Sequence, residues 1–203
     1  MKIFKNIQIS TTLKKEMARF AISFFFAWLF SALISDFPYF KKLIIQDFGL
    51  DALLTNLTVN LTESILNLFG FSTFTNGNFL QIAGTPGIIF EYGCLGFREL
   101  AFFVVFIALQ FGKFKHKAWY IPSGIILLIL LNTIRAVIIA LGQYQNPANT
   151  DLIHDIISPV IMYPAILFLW IFWISNYGKP PVDDTFLMRL FKRILSFKHQ
   201  VSP

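Results

Sequence analysis

Four stretches of the chain, residues 17–34, 94–111, 119–141 and 156–175, are nearly unbroken runs of apolar side chains. A helix needs about 20 such residues to cross a hydrocarbon core about 30 Å thick. The pattern therefore predicts four transmembrane helices. The first run follows a basic segment, as the apolar region of a secretory signal does. It is longer than such a region and no A-x-A-like site follows it, so it is read as a span. Between the first and second spans the pattern changes. Over residues 44–69, Phe48, Leu53, Leu54, Leu57, Leu61, Ile65 and Leu68 recur at helical spacing while Asp47, Asp51, Thr55, Thr58 and Thr62 line another face. This predicts an amphipathic helix lying on a membrane surface. Residues 71–75, 78–83 and 88–92 are short apolar runs separated by Asn76-Gly77 and Gly84-Thr85-Pro86-Gly87, turn sequences that predict a three-stranded meander leading straight to Cys94. In the C-terminal tail, Phe186, Leu187, Leu190, Phe191, Ile194 and Leu195 alternate with Arg189, Lys192 and Arg193, a second amphipathic pattern suited to anionic lipid.

Composition agrees with that reading. Of 203 residues 56% are hydrophobic and 14% charged, with 25 Phe and a mean hydropathy of +0.64. A soluble domain carries about 25% charged residues, so disorder and a nucleic-acid-binding domain are both excluded. The net charge of +6 acquires meaning only when it is placed along the chain. The segments before the first span, between the second and third, and after the fourth hold 13 of the 17 Lys and Arg and three of the 11 acids, a net +10. The opposite side carries −4. Basic residues accumulate on cytoplasmic segments, so both termini are expected inside. The expected fold is an all-α polytopic membrane protein. Residues 1–176 form a single membrane domain with an extracytoplasmic insertion at about 35–93, and residues 177–203 form a basic amphipathic cytoplasmic tail.

So few polar side chains enter the spans that those which do mark candidate function. Cys94 and Arg98 open the second span, with Glu99 beside them; Asn132 and Arg135 lie near the outer end of the third; His154 stands in the outer loop before the fourth, flanked by Asp151 and Asp155. By this topology all of them sit at the outer leaflet. Cys94 is the single cysteine, so an internal disulfide is excluded. A lone Cys in a membrane protein is ordinarily a small buried apolar residue. This one lies between Gly93 and Gly96 at a strand-to-helix junction, where free amides and the helix dipole favour a thiolate, and helical spacing would put Arg98 one turn further on the same face. A thiolate, an imidazole and a fixed cation, here Cys94, His154 and Arg135, are what acyl transfer requires. Arg98, Glu99, Asn132 and Asp151 are candidate substrate-binding or supporting residues. No nucleotide-binding or zinc-protease motif occurs, and one Cys with three His, two of them on the inner side, cannot complete a His/Cys zinc site on the outer face without carboxylates. No cofactor is expected. A competing reading is a non-catalytic scaffold or small transporter in which Arg98, Glu99, Arg135 and His154 form a structural polar network.

The run Glu91-Tyr92-Gly93-Cys94-Leu95-Gly96-Phe97-Arg98, followed by Asn132-Thr133-Ile134-Arg135 and then His154, resembles the exosortase/archaeosortase family, in the short type found in Bacteroidetes-like bacteria. These are multi-pass membrane cysteine enzymes that process secreted proteins carrying a C-terminal sorting signal. The resemblance implies that Cys94 is the nucleophile, His154 the general acid/base and Arg135 the charge stabiliser. It also implies membrane lipids and sorting-signal proteins as partners, with a surface glycan, a lipid or water receiving the acyl group.

Overall fold

The computed structural model describes residues 11–178. The basic residues of 1–10, the amphipathic tail pattern and nearly all of the tail segment 177–203 lie outside them. Helix α1 runs over Thr11–Asp36, α2 over Pro38–Lys41, and a π-helical turn over Lys42–Gln46 leads to α3, Leu50–Leu68. Strands β1 (Thr73–Asn76), β2 (Phe79–Ile82) and β3 (Ile88–Ile89) form an antiparallel sheet in that order. A 3-10 turn at Tyr92–Cys94 precedes α4 (Phe97–Leu109), α5 covers Phe114–Gln145, a second 3-10 turn spans Pro147–Asn149, and α6 covers Thr150–Asn176.

Helices α1, α5 and α6 are long and apolar enough to cross a membrane. The second expected span is shorter than its apolar run. Its helix has 13 residues and so rises about 20 Å, against the roughly 30 Å of a hydrocarbon core. It begins at Phe97 rather than Cys94 because Gly96 takes up left-handed geometry (φ 74°) and turns the chain there. Helix α4 nevertheless runs antiparallel along most of α1. At one end Arg19 Nε donates to the Leu109 carbonyl (2.8 Å), and at the other the Tyr92 hydroxyl donates to the Ile34 carbonyl (3.3 Å). Lys117 Nζ donates to the carbonyls of Ala108 and Gln110 (2.6 and 2.7 Å). Two cations thus cap the C-terminal carbonyls of α4, where the helix dipole favours positive charge.

Two apolar clusters divide the molecule. One joins α4, α5 and α6 through Phe103, Ile107, Leu128, Met162, Leu169 and Trp173. The other lies beyond it, where Leu54, Val59 and Leu66 of α3 and Leu80 and Ile82 of β2 pack on Ala136, Val137 and Ala140 of α5. Helix α5 belongs to both because its 32 residues rise about 48 Å, well past the thickness of a bilayer core.

Helix α3 departs from its expected orientation. It buries Leu54, Thr58, Val59, Thr62 and Leu66, while Leu53, Leu57 and Leu68 are exposed. Thr58 and Thr62, assigned by polarity to the wet face, are therefore in the core. The Thr62 hydroxyl donates to the Thr58 carbonyl one turn back (2.6 Å), so it needs no water and packs as a small apolar group. The helix also starts at Leu50 instead of residue 44, after the π turn and Gly49 in left-handed geometry (φ 64°).

Candidate active site

Three elements bring the polar residues together where the two clusters meet. The first is the 3-10 turn carrying Cys94, closed by the Cys94 N–H donating to the Glu91 carbonyl (2.8 Å). Tyr92 anchors it: its ring stacks on Phe97 (centroids 5.0 Å apart), Lys41 Nζ lies 3.9 Å over its centre, and burial pushes its hydroxyl up to about 12. The left-handed Gly96 then lets the Cys94 carbonyl face α5. A Cβ at Gly96 would sit 3.5 Å from the Asn132 side chain, so the turn and α5 are already in contact.

The second element is one face of α5. Asn132, Arg135, Ile139 and Gln143 recur every three or four residues and so point the same way. Asn132 Nδ2 donates to the Cys94 carbonyl (3.1 Å), and Arg135 NH1 donates to the same carbonyl (3.3 Å) and to Asn132 Oδ1 (2.9 Å). Arg135 is only 5% exposed, and its Nε has no hydrogen-bond partner among the described residues.

The third element is the first turn of α6. This helix begins at Thr150, six residues earlier than expected, because Asn146 caps the preceding turn by accepting from the Ala148 N–H (3.1 Å). His154 is therefore held inside a helix and not in a loop. Its Nε2 lies 3.6 Å from Cys94 Sγ and 2.9 Å from Arg135 NH2. A guanidinium can only donate, so Nε2 is the accepting nitrogen and Nδ1 carries the proton. Nδ1 then donates to Asp155 Oδ1 (3.3 Å).

A cavity of roughly 520 Å³ opens over these groups. It is lined by Gly87 to Phe90 on the strand side, Ala136, Ile139 and Gln143 on α5, and Cys94, Asn132, Arg135 and His154 at the site itself. The chemistry available is a thiol beside an unprotonated imidazole nitrogen, with a buried cation in contact with both the imidazole and the backbone of the thiol residue.

Of the residues singled out from sequence, Cys94, Asn132, Arg135 and His154 meet. Arg98 and Glu99 do not join them. They line a separate groove of roughly 480 Å³ among Phe24, Trp28, Tyr163 and Trp170 on α1 and α6. The helical spacing from Cys94 to Arg98 does not apply, because Cys94 precedes the helix. Asp151 lies in the first turn of α6, with its side chain outside the description, and Asp155 places a carboxylate oxygen 3.3 Å from His154 Nδ1. Sequence reasoning missed Gln143. Its Oε1 accepts from the Gly87 N–H and its Nε2 donates to the Gly87 carbonyl (both 3.0 Å), fastening the sheet to α5. The only available signal was its place on the Asn132–Arg135–Ile139 face.

A family model described as transmembrane exosortase matches residues 12–171. The chain is also similar to the probable archaeosortase D of Methanocaldococcus jannaschii, 31% identical over 121 residues, which covers 58% of this chain and 67% of that protein. No solved structure matches the chain.

Proposed function

The chain belongs to the transmembrane exosortase family, and from that premise we propose that it is a membrane cysteine transpeptidase or endopeptidase acting on the C-terminal sorting signal of secreted proteins. Cys94 is the nucleophile, His154 the general acid/base and Arg135 the electrostatic stabiliser. The observation that carries this reading is the contact of one imidazole nitrogen with both Cys94 Sγ and the Arg135 guanidinium, beneath a cavity.

His154 Nε2 takes the thiol proton, and the thiolate attacks the scissile carbonyl carbon. A C–S bond forms and the carbonyl oxygen becomes an oxyanion. Once Nε2 carries the thiol proton it no longer accepts from Arg135 NH2, so that N–H is released beside the site to donate to the oxyanion while the buried guanidinium supplies its charge. The intermediate collapses as the C–N bond breaks and the His154 proton goes to the leaving amine, leaving a thioester on Cys94. An amine or hydroxyl on a surface glycan or lipid, or a water molecule, gives its proton to His154 and displaces the sulfur, which then regains a proton. Asp155 steadies the imidazole in the tautomer this requires. Asn132 is a positioning residue, holding the Cys94 carbonyl and Arg135 at once.

The orientation follows from charge. Arg19, Lys113, Lys115 and Lys117 gather at the end where α1 and α5 begin and α4 finishes. Placing that end in the cytoplasm puts the site at the extracytoplasmic leaflet of the inner membrane, with residues 1–176 as one membrane domain crossing four times. Co-expression with a secreted protein ending in an apolar helix and a basic tail tests the function. A stably inserted Cys94→Ala protein should leave that substrate full length, and unchanged trimming would refute the enzyme reading.

A further inference from the structure

The sheet ends at β3, a free edge that lies against the cavity and is five residues from Cys94. Its hydrogen-bond pattern fixes which backbone groups face outward. Ile89 pairs with Phe79 and Ile88 with Leu80, and the Phe90 N–H donates to the Asn78 carbonyl (2.8 Å). Hydrogen-bonded pairs alternate along an antiparallel ladder. Ile88 and Phe90 therefore turn their amides toward β2, while Gly87 and Ile89 turn theirs to the free edge. At Gly87 that edge is already read by an amide: Gln143 accepts from its N–H and donates to its carbonyl, the two-bond contact a neighbouring strand would make. One pair of residues along, Ile89 turns its N–H to the same edge over the cavity; its carbonyl accepts from the Glu91 N–H (3.1 Å) and keeps its second lone pair for a docking strand, and its side chain is 58% exposed.

From this geometry we infer that the segment of the substrate carrying the scissile bond docks as a fourth strand on β3, pairing at Ile89 between the Gln143 cap and Cys94. The inference rests on the peptide-cleaving reading above and adds how the peptide is held. A helical segment has its amides satisfied internally and cannot use such an edge, whereas an extended one gains main-chain bonds and exposes its carbonyls to attack. Pro86, Ile88, Ile89, Phe90, Ala136 and Ile139 wall the cavity, and beside Cys94 itself Arg135 and His154 are its ionisable lining residues. The substrate class is thus an extended, uncharged segment with apolar side chains, selected by backbone pairing and shape.

Cys94 is the single cysteine, so its alkylation reports on the site without ambiguity. The full-length protein in detergent is treated with iodoacetamide and, separately, with a tripeptidyl chloromethyl ketone built from alanine and phenylalanine. On the wild type, N-methylating the backbone amides of the peptidyl reagent should slow alkylation about tenfold, the effect of one lost backbone hydrogen bond. Ile89→Pro removes the outward N–H and spares the bonds to β2, as proline on a sheet edge does. It should slow the peptidyl reagent about tenfold relative to iodoacetamide, and by more than Ile89→Ala, which keeps the N–H.

An N-methylated reagent that reacts as fast as its parent overturns the strand dock. So does a wild type that shows no preference for the peptidyl reagent over its N-methylated form at any concentration. If Ile89→Pro slows both reagents alike, the wild-type comparison decides. These measurements read binding at Cys94 and not processing. A Cys94→Ala protein that still processes substrate would refute the enzyme while leaving the dock to be judged on alkylation alone.

Discussion

Arg135→Lys separates charge from geometry in the site. The guanidinium makes its contacts from two nitrogens: NH1 reaches the Cys94 carbonyl and Asn132 Oδ1, and NH2 reaches His154 Nε2. A lysine supplies the same charge from one nitrogen and can serve only one of those directions. If it stays with Cys94 and Asn132, His154 loses a charge-assisted bond; if it turns to His154, the Cys94 turn loses one. Such a bond is worth about 1.5–3 kcal/mol, or roughly a tenfold to 150-fold change in rate. Arg135→Ala removes both directions and the buried cation, so it should cost about 10²–10³-fold or more, the scale set by loss of an oxyanion donor. The assay is pulse-chase trimming of a co-expressed sorting-signal protein, normalised to the amount of enzyme inserted in the membrane. A Lys variant within about threefold of the wild type would show that charge alone suffices and would refute the fork argument. Equal losses in the Lys and Ala variants would show that the charge contributes nothing.

Three further outcomes follow from packing and topology. Gln143→Leu deletes two hydrogen bonds to Gly87 and should loosen the sheet on α5 by about 2 kcal/mol, read as roughly 30-fold faster hydrogen exchange at the Leu80 and Phe90 amides. Gly124→Val should lower the melting temperature in detergent by overpacking worth about 1–3 kcal/mol, because a Cβ there would overlap the Phe103 ring, which is fully buried. Gly93→Ala meets nothing within 4 Å and should melt with the wild type. Reporters fused after Phe71 and after Pro147 should both read outside the cytoplasm, and a cytoplasmic signal at either would break the assignment of the site to the outer leaflet.

The helices and the meander were legible because their signals are local. Apolar run length marked α1, α5 and α6, and Asn76-Gly77 marked the β1–β2 hairpin, where Gly77 takes positive φ (59°). The meeting of Cys94, Arg135 and His154 was legible from topology, since three segments ending at one level have few places to put polar groups. What escaped sequence reasoning depends on where backbone bonds go. Thr58 and Thr62 looked hydrophilic, yet a threonine that bonds to its own helix can enter a core. Arg98 was placed with Cys94 by helical spacing, which fails across the Leu95–Gly96 turn. Gln143 is one amide among many until its two bonds to Gly87 appear.

The central claim is that Cys94 is acylated by its substrate. Membranes containing the enzyme and a co-expressed sorting-signal protein can be acid-quenched during processing and the Cys94 peptide followed by mass spectrometry. The account predicts a hydroxylamine-sensitive thioester on Cys94 whose acyl group is the part of the substrate N-terminal to the cut, found after digestion as the peptide ending at the new C-terminus, and its loss in His154→Ala. Continued processing with Cys94 found only as the free thiol, or by a Cys94→Ala protein, would contradict it.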